Sequence, residues 1–387
     1  MNRSLTFRYS LHQMAYWAAV AGVVSFASAY LLAKGFSAGQ VGVLLAAGNL
    51  LSCTAQPLLA ARADHGRGRT VFRMTLGLTL SAAVCFAVPE LLALPRWAFG
   101  ALYLLGVFAT DAMIPLMNAI SVACNAAGRP VNYGFGRGMG SLAFSGAALA
   151  VGGAMSRLGA GWMIWISVVL LALNALIVAG YPPVEAAAAE RQRTESCSLG
   201  VFVRRYRWYC VSLTGVTLLA MFHAMTENYL IEVVRPLGGD SGSVGVALFI
   251  ATWVELPVLL WFDRLHRRLG DVRLLKTAAV SFVVKAVLLL LAPSVPAIYA
   301  IELLQATTYA FLSPTQLYYA NARVGREDMV KGQAFITAAY TLGCAAGNFA
   351  GGQLLQYFGV RTMLASGVGM ALAGAVILFL TVNRRDS

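Results

Sequence analysis

Four ionisable residues sit inside long apolar runs of this chain: Asp111, Arg137, Glu255 and Lys285. A charge at the centre of a bilayer costs at least ~2.5–3.5 kcal/mol on insertion scales, so each needs a partner or a function. Depth follows from the distance to the nearest charged loop at 1.5 Å per helical residue. Glu255 precedes Arg264 by nine residues, roughly 13 Å, and Lys285 follows Arg273 by twelve, roughly 18 Å. Arg137 is eight residues past Arg129, roughly 12 Å, and Asp111 is fifteen past Arg96, roughly 22 Å from the opposite side. The four make one acid and one base in each half of the chain, with no net charge.

A carboxylate in a partly dry cavity beside a cation can be tuned to take up and release a proton. Glu255 is the expected protonation site, and Lys285 on the following helix is its expected cation. Asp111 and Arg137 are the corresponding pair in the first half. Arg137 and Lys285 could instead hold an anionic group on a solute, and the bland alternative for all four is a fixed salt bridge that orders packing. Tyr16, Trp17, Trp253 and Tyr309 offer rings for stacking, and Asn118, Gln305 and Gln316 offer hydrogen bonds. Packing and helix–helix adhesion are the alternatives for these.

Glu227 falls one helical turn after His223, on the same face, where a proton could pass between them. Its twenty-residue separation from Arg207, roughly 30 Å, places it at the outer mouth as a gating residue. Glu302, six residues past Pro296, is also expected near the outside, and His12 near the inner surface.

The elements that must position these groups are transmembrane helices. The chain is 59% hydrophobic and 12% charged, and its mean hydropathy is +0.71. A soluble protein carries roughly twice that charge. Twelve apolar runs, each long enough to cross a ~30 Å hydrocarbon core, lie near 10–33, 38–61, 71–91, 97–122, 134–156, 160–182, 208–234, 241–262, 273–293, 295–320, 332–356 and 361–382. Backbone groups in lipid must be satisfied within their own segment, so spans of this length are helices. The first run reads as a helix and not as a cleaved leader, since no small-residue cleavage site follows it. The expected organisation is a six-helix bundle over 1–183, a cytoplasmic linker over 184–207 and a second six-helix bundle over 208–387.

The net charge of +13 raises nucleic acid as a partner, but the 29 basic residues are scattered between spans and form no stripe. Of these, 22 fall in alternate segments that would face inward and five in those that would face outward, which places both termini in the cytoplasm. The six cysteines show no CxxC or CxxH spacing, so no metal, cofactor or disulfide framework is expected. No nucleophile–base constellation argues for an enzyme.

The halves repeat one another. Gly39-Gln40-Val41-Gly42-Val43 opens the second run, and Gly242-Ser243-Val244-Gly245-Val246 opens the eighth, at an offset of 203 residues. Glycine faces recur at Gly136, Gly140, Gly152 and Gly153, and at Gly343, Gly347, Gly351 and Gly352, where small residues let backbones approach. Two repeats around a midplane site is a transporter plan.

The loop Ala60-Ala61-Arg62-Ala63-Asp64-His65-Gly66-Arg67-Gly68-Arg69 resembles the G-x-x-x-D-x-x-G-R-[RK] motif of the major facilitator superfamily, with Ala60 at the first glycine position. The resemblance implies an all-α membrane fold of two six-helix bundles related by a pseudo-two-fold axis. It also implies a cytoplasmic gate latched by Asp64, Gly66, Arg67 and Arg69.

Within the superfamily the chain looks most like the lactose permease and phenylpropionate permease group of proton symporters. Tyr133 to Ser141, Val254-Glu255-Leu256-Pro257 and Val283-Val284-Lys285 carry that likeness. Gln305 and Thr308 stand where lactose permease has a histidine and a glutamate, and no carboxylate aligns near Asn118. The implied function is proton symport of a small organic solute by alternating access. The implied cavity lies between helices 1, 2, 4, 5 and 7, 8, 10, 11 of a monomer in the cytoplasmic membrane. The competing expectation is drug efflux by proton antiport; the Phe144 to Gly153 segment lacks the glycine–proline dipeptide usual in such antiporters.

Overall fold

The structure is a computed structural model, which describes residues 3–65, 70–182 and 198–384. The first half contains α1 (Arg3–Val23), α2 (Ala27–Ala33), α3 (Ala38–His65), α4 (Thr70–Leu91), α5 (Arg96–Ala126), α6 (Tyr133–Leu158) and α7 (Gly161–Ala179). A short helix α8 (Leu199–Arg205) precedes α9 (Arg207–Asn228), α10 (Leu230–Val234), α11 (Ser241–Leu260) and α12 (Phe262–Leu291). The chain ends with α13 (Val295–Glu302), α14 (Tyr309–Arg323) and α15 (Met329–Thr381). No strand occurs among the described residues.

Ten of these helical segments are long and apolar enough to cross a membrane, and α1 with α2, bent by 43°, makes another span. α15 has 53 residues but breaks at Gly359, so it carries both of the last two expected spans. The all-α membrane architecture read from the apolar runs is the one observed.

Besides the bent first span, three others depart from uninterrupted helices. The seventh stops at Asn228 and resumes at Leu230. The tenth narrows to a 3-10 turn over Leu303–Ala306 between α13 and α14. The ninth is preceded by helical residues of the basic loop, with a break at Gly270. Apolar periodicity cannot show such breaks, because it reports which residues suit lipid and not where the backbone hydrogen-bond pattern changes.

By contact density the chain divides into two compact units. One comprises Met1–Phe36, Ala47–Arg191 and Asp240–Phe249; the other comprises Ser37–Ala46, Gln192–Gly239 and Ile250–Ser387. The division therefore departs from the expected halves at the first turns of α3 and α11.

The repeat is visible in the backbone. Gly35 and Gly238 both have positive φ, +84° and +81°, just before α3 and α11. Gly159 and Gly359 do the same, at +103° and +81°, where consecutive spans meet. Only glycine takes that conformation without a Cβ penalty. Close backbone approaches are repeated too: a Cβ on Gly352 would lie 2.9 Å from the Gly42 Cα, and one on Gly152 would lie 2.9 Å from the Gly245 Cα.

At the start of α11, Asp240 accepts from the Ser243 N–H at 2.9 Å and from the Ser156 hydroxyl. These donors, Ser156 foremost, hold its carboxyl below the ordinary range. Within the second unit α9 packs along α15, where a Cβ on Gly347 would lie 2.8 Å from the Met221 Cα.

Gly347→Leu should therefore force α9 and α15 apart and cost about 1–3 kcal/mol or more, as overpacking does. Gly369, whose added Cβ would meet nothing within 4 Å, is the control. Thermal unfolding in detergent should show a lower Tm for Gly347→Leu and little change for Gly369→Leu.

Candidate functional site

Each unit holds its own cluster of polar and aromatic side chains. In the first, Tyr9, Gln13 and Trp17 recur every four residues on one face of α1. Gly136 and Gly140 on α6 receive them: a Cβ on Gly136 would lie 2.6 Å from Tyr9 Cδ1, and one on Gly140 would lie 2.6 Å from Trp17 Cδ1. Arg137, between these glycines, lies with its Cζ 4.0 Å from the centroid of a Trp17 ring.

A hydrogen-bond chain holds that indole. Trp17 Nε1–H donates to Gln13 Oε1 at 2.9 Å, and Gln13 Nε2 donates to Tyr9 Oη at 2.7 Å. Arg137 donates from one Nη to the Ser141 hydroxyl at 3.0 Å, and its other N–H groups have no protein acceptor among the described residues. Tyr16 is fully buried and donates to the Thr110 carbonyl at 3.0 Å. The Tyr133 hydroxyl donates to the Asn118 side chain at 3.3 Å. Asp111 lies beside Ser52 on α3.

In the second unit the organising group is Lys285 on α12, which is 1% exposed. Its ammonium donates to Glu302 Oε2 at 2.8 Å and to Gln305 Oε1 at 2.9 Å, and lies 3.5 Å from Glu227 Oε1. Glu302 closes α13 and Gln305 lies in the 3-10 turn after it, so the break in the tenth span supplies two of the three ligands.

His223, one turn before Glu227 on α9, places Nδ1 3.9 Å from the Glu227 carboxylate. Its ring stacks on Tyr309, with centroids 5.0 Å apart and planes at 13°. Tyr309 in turn lines a cavity of about 210 Å³ with Ser313, Gln316, Ile336, Thr337 and Tyr340. An acid–base chain thus runs from a cavity wall to a buried ammonium.

The MFS_1 like family model matches residues 6–365. Maltose permease of Geobacillus stearothermophilus is 26% identical over 356 residues, covering 90% of this chain and 87% of that one. A variant of the nucleoside transporter NupG has a TM-score of 0.85 at 13% identity, covering 97% of this chain and 99% of that one. A bacterial homolog to the human lysosomal transporter Spinster, inward-facing and occupied, has a TM-score of 0.69 at 13% identity, covering 98% and 96%.

This chain belongs to the MFS_1 like family. It is a multi-pass major facilitator transporter of small solutes, and the proteins it resembles are transporters, not enzymes.

In this transporter several residues expected from the sequence meet, with different partners. Lys285 was set against Glu255; the acids on its ammonium are Glu302 and Glu227. Glu255 is half-buried on α11, and Trp253 beside it is 51% exposed. Glu302 and Glu227, expected near the outer mouth, are 3% and 20% exposed at the side chain and form the Lys285 cluster. Asp111 and Arg137 do not pair within 4 Å among the described residues; Arg137 rests on an aromatic face and donates to one hydroxyl.

His12, expected at the interface, is fully buried. Gln305, Tyr309 and Gln316 do join the second cluster. Gly66, Arg67 and Arg69 lie outside the described residues, and of Asp64 only its place at the end of α3 is described. Sequence reasoning missed Tyr340 and Thr337. The signal was present as a polar stripe at Gln333, Thr337, Tyr340 and Cys344, three or four residues apart on an otherwise apolar helix.

Removing one partner of a buried ion pair leaves a charge without compensation, at about 3–5 kcal/mol. Lys285→Met should thus lower the Tm sharply, whereas Lys285→Met with Glu302→Gln should recover much of the loss. Thermal unfolding of the single and double variants measures the coupling.

Proposed function

We propose that this transporter couples the movement of a small organic solute to the symport of protons, with the Glu302–Lys285–Glu227 cluster as the proton site. The observation that carries the reading is stoichiometric: two carboxylates share one buried ammonium. Two acids against one base leave a net negative charge in a low-dielectric site, and a single proton restores neutrality. His223 extends the cluster to Tyr309, so a solute in the Tyr309 cavity would act on the same chain of ring and charge contacts. Proton uptake at one acid frees part of the Lys285 coordination, which gives the protonated and deprotonated forms different preferences between the states of an alternating-access cycle.

The first-unit cluster is the solute-recognition surface in this reading. Trp17 supplies an aromatic face, Arg137 unfilled N–H donors, and Asn118 an amide beside the Tyr133 hydroxyl. Rings and directional donors suit a hydroxylated, ring-containing solute, and an acidic group on it would meet Arg137. The names of the relatives point the same way, one a maltose permease and one a nucleoside transporter. Tyr16, Trp253, Gln305 and Tyr309 remain as further solute contacts, and Asp64 to Arg69 as the inner latch. The distribution of basic residues supports a place in the cytoplasmic membrane with both termini inside.

Proteoliposomes offered sugars, nucleosides, organic acids and hydrophobic cations test this. Solute-driven proton entry is expected for one of the first three classes. Glu302→Gln and Glu227→Gln should each lose concentrative uptake while keeping counterflow exchange, and Glu255→Gln, run beside them, should keep both. Full concentrative uptake in both cluster variants would sink the proton-site assignment. Proton movement only against hydrophobic cations would replace symport with efflux.

A further inference from the structure

A second kind of site lies in the first unit, lined by residues that belong to neither cluster. Between α4 and α7 there is a cavity of about 210 Å³ whose lining includes Phe72, Arg73, Leu76, Val178 and Tyr181. It opens where two apolar exposed stripes end. On α4 the stripe holds Leu80 and Val84, and Arg73 lies on its continuation two turns earlier; on α7 it holds Val169, Leu173 and Leu176, and Ala179 continues it. Exposed apolar stripes of membrane spans face hydrocarbon. The cavity is therefore walled by lipid-facing surface along one side and by a guanidinium at its end.

Behind the cavity wall is a half-buried cation that lacks an anion. Tyr181 is 7% exposed, and Arg8 lies on its ring with Cζ 5.9 Å from the centroid. Arg8 Nη1 and the Tyr181 hydroxyl are both buried without a hydrogen-bond partner. His12, whose ring is 6.1 Å from that of Tyr181, has neither nitrogen bonded. No carboxylate comes within 4 Å of Arg8 or Arg73 among the described residues, and Arg129 adds a third positive charge near Cys124. A buried guanidinium N–H without an acceptor is costly, and phosphate oxygens match the planar fork of an arginine.

We propose that this niche binds the phosphate headgroup of an anionic phospholipid, with Arg73 on the phosphate, Arg8 adding positive charge from behind the Tyr181 ring, and an acyl chain against Leu76 and Val178. The apolar walls select a lipid over a free anion, which would leave them uncovered. The site is independent of the proton cluster and of the solute surface, and it would make stability depend on membrane composition.

The test is native mass spectrometry and thermal unfolding of the purified full chain with phosphatidylglycerol, with phosphatidylcholine of the same chains, and with inorganic phosphate. Phosphatidylglycerol is expected to be retained preferentially and to raise the Tm, while phosphatidylcholine and inorganic phosphate do neither. Arg73→Gln, an exposed position that should not disturb folding, is expected to weaken phosphatidylglycerol about fivefold and leave phosphatidylcholine unchanged. Arg268→Gln, an exposed arginine elsewhere, should change neither. Equal retention of the two lipids would overturn the proposal, as would full phosphatidylglycerol affinity in Arg73→Gln. A phosphate-induced Tm shift as large as that of the lipid would reassign the niche to a free anion.

Discussion

A lysine ammonium with almost no solvent exposure, set among apolar helices, is the constraint from which much of the second unit follows. A compact, strongly hydrated cation can be taken out of water only if nearly all its donors find acceptors, and anionic ones above all. Lys285 finds two carboxylates and an amide oxygen on three different elements, α9, the end of α13 and the 3-10 turn beyond it. That demand accounts for why the tenth span abandons α-helical geometry where it does. It also ties α9, the element most closely packed on α15, to the chemistry. The same residues that satisfy the charge are titratable, so in the proposed mechanism stability and coupling would share one set of atoms.

The first unit solves a related problem differently. Arg137 carries a planar, weakly hydrated cation, which an aromatic face can stabilise without a carboxylate. Trp17 provides that face, and its position depends on Gln13, Tyr9 and the two glycines that bracket Arg137 on α6. An arginine held this way retains free donors, whereas Lys285 has its donors filled. One unit thus presents an open recognition surface and the other a closed charge cluster, a division of labour suited to coupling a solute to an ion.

The sequence made the architecture legible because each apolar run is long, and because glycines cannot be exchanged freely where backbones touch or φ is positive. Arg137, Lys285, Gln305 and Tyr309 stood out since polar or charged groups in lipid require an explanation. Their partners did not stand out. Counting residues inward from a loop gives a depth along one helix and not which neighbour a side chain meets, and the breaks at Tyr229 and at Leu303–Ala306, just past Glu227 and Glu302, are not visible to such a count. The proximity of Glu255 to Lys285 in sequence suggested a pair, but which faces of α11 and α12 meet is set by packing that no single helix encodes. The stripe through Thr337 and Tyr340 could have been read, had polar periodicity been weighed as carefully as charge.

The two repeats show what duplication preserves and what it releases. The pairs Gly152/Gly352 and Gly159/Gly359 share an offset of 200 residues, and each does the same work in its own unit: a close crossing with Gly245 or Gly42, and a positive-φ joint between spans. Backbone contacts of this kind leave no side chain to vary. At the same offset Arg137 corresponds to Thr337, and Gly140, which receives Trp17, corresponds to Tyr340. Where one repeat opens space for an indole beneath a guanidinium, the other fills that space with a phenol on a cavity wall. The glycines hold the two scaffolds alike, and the positions between them, free of any backbone duty, are where recognition and coupling chemistry could diverge.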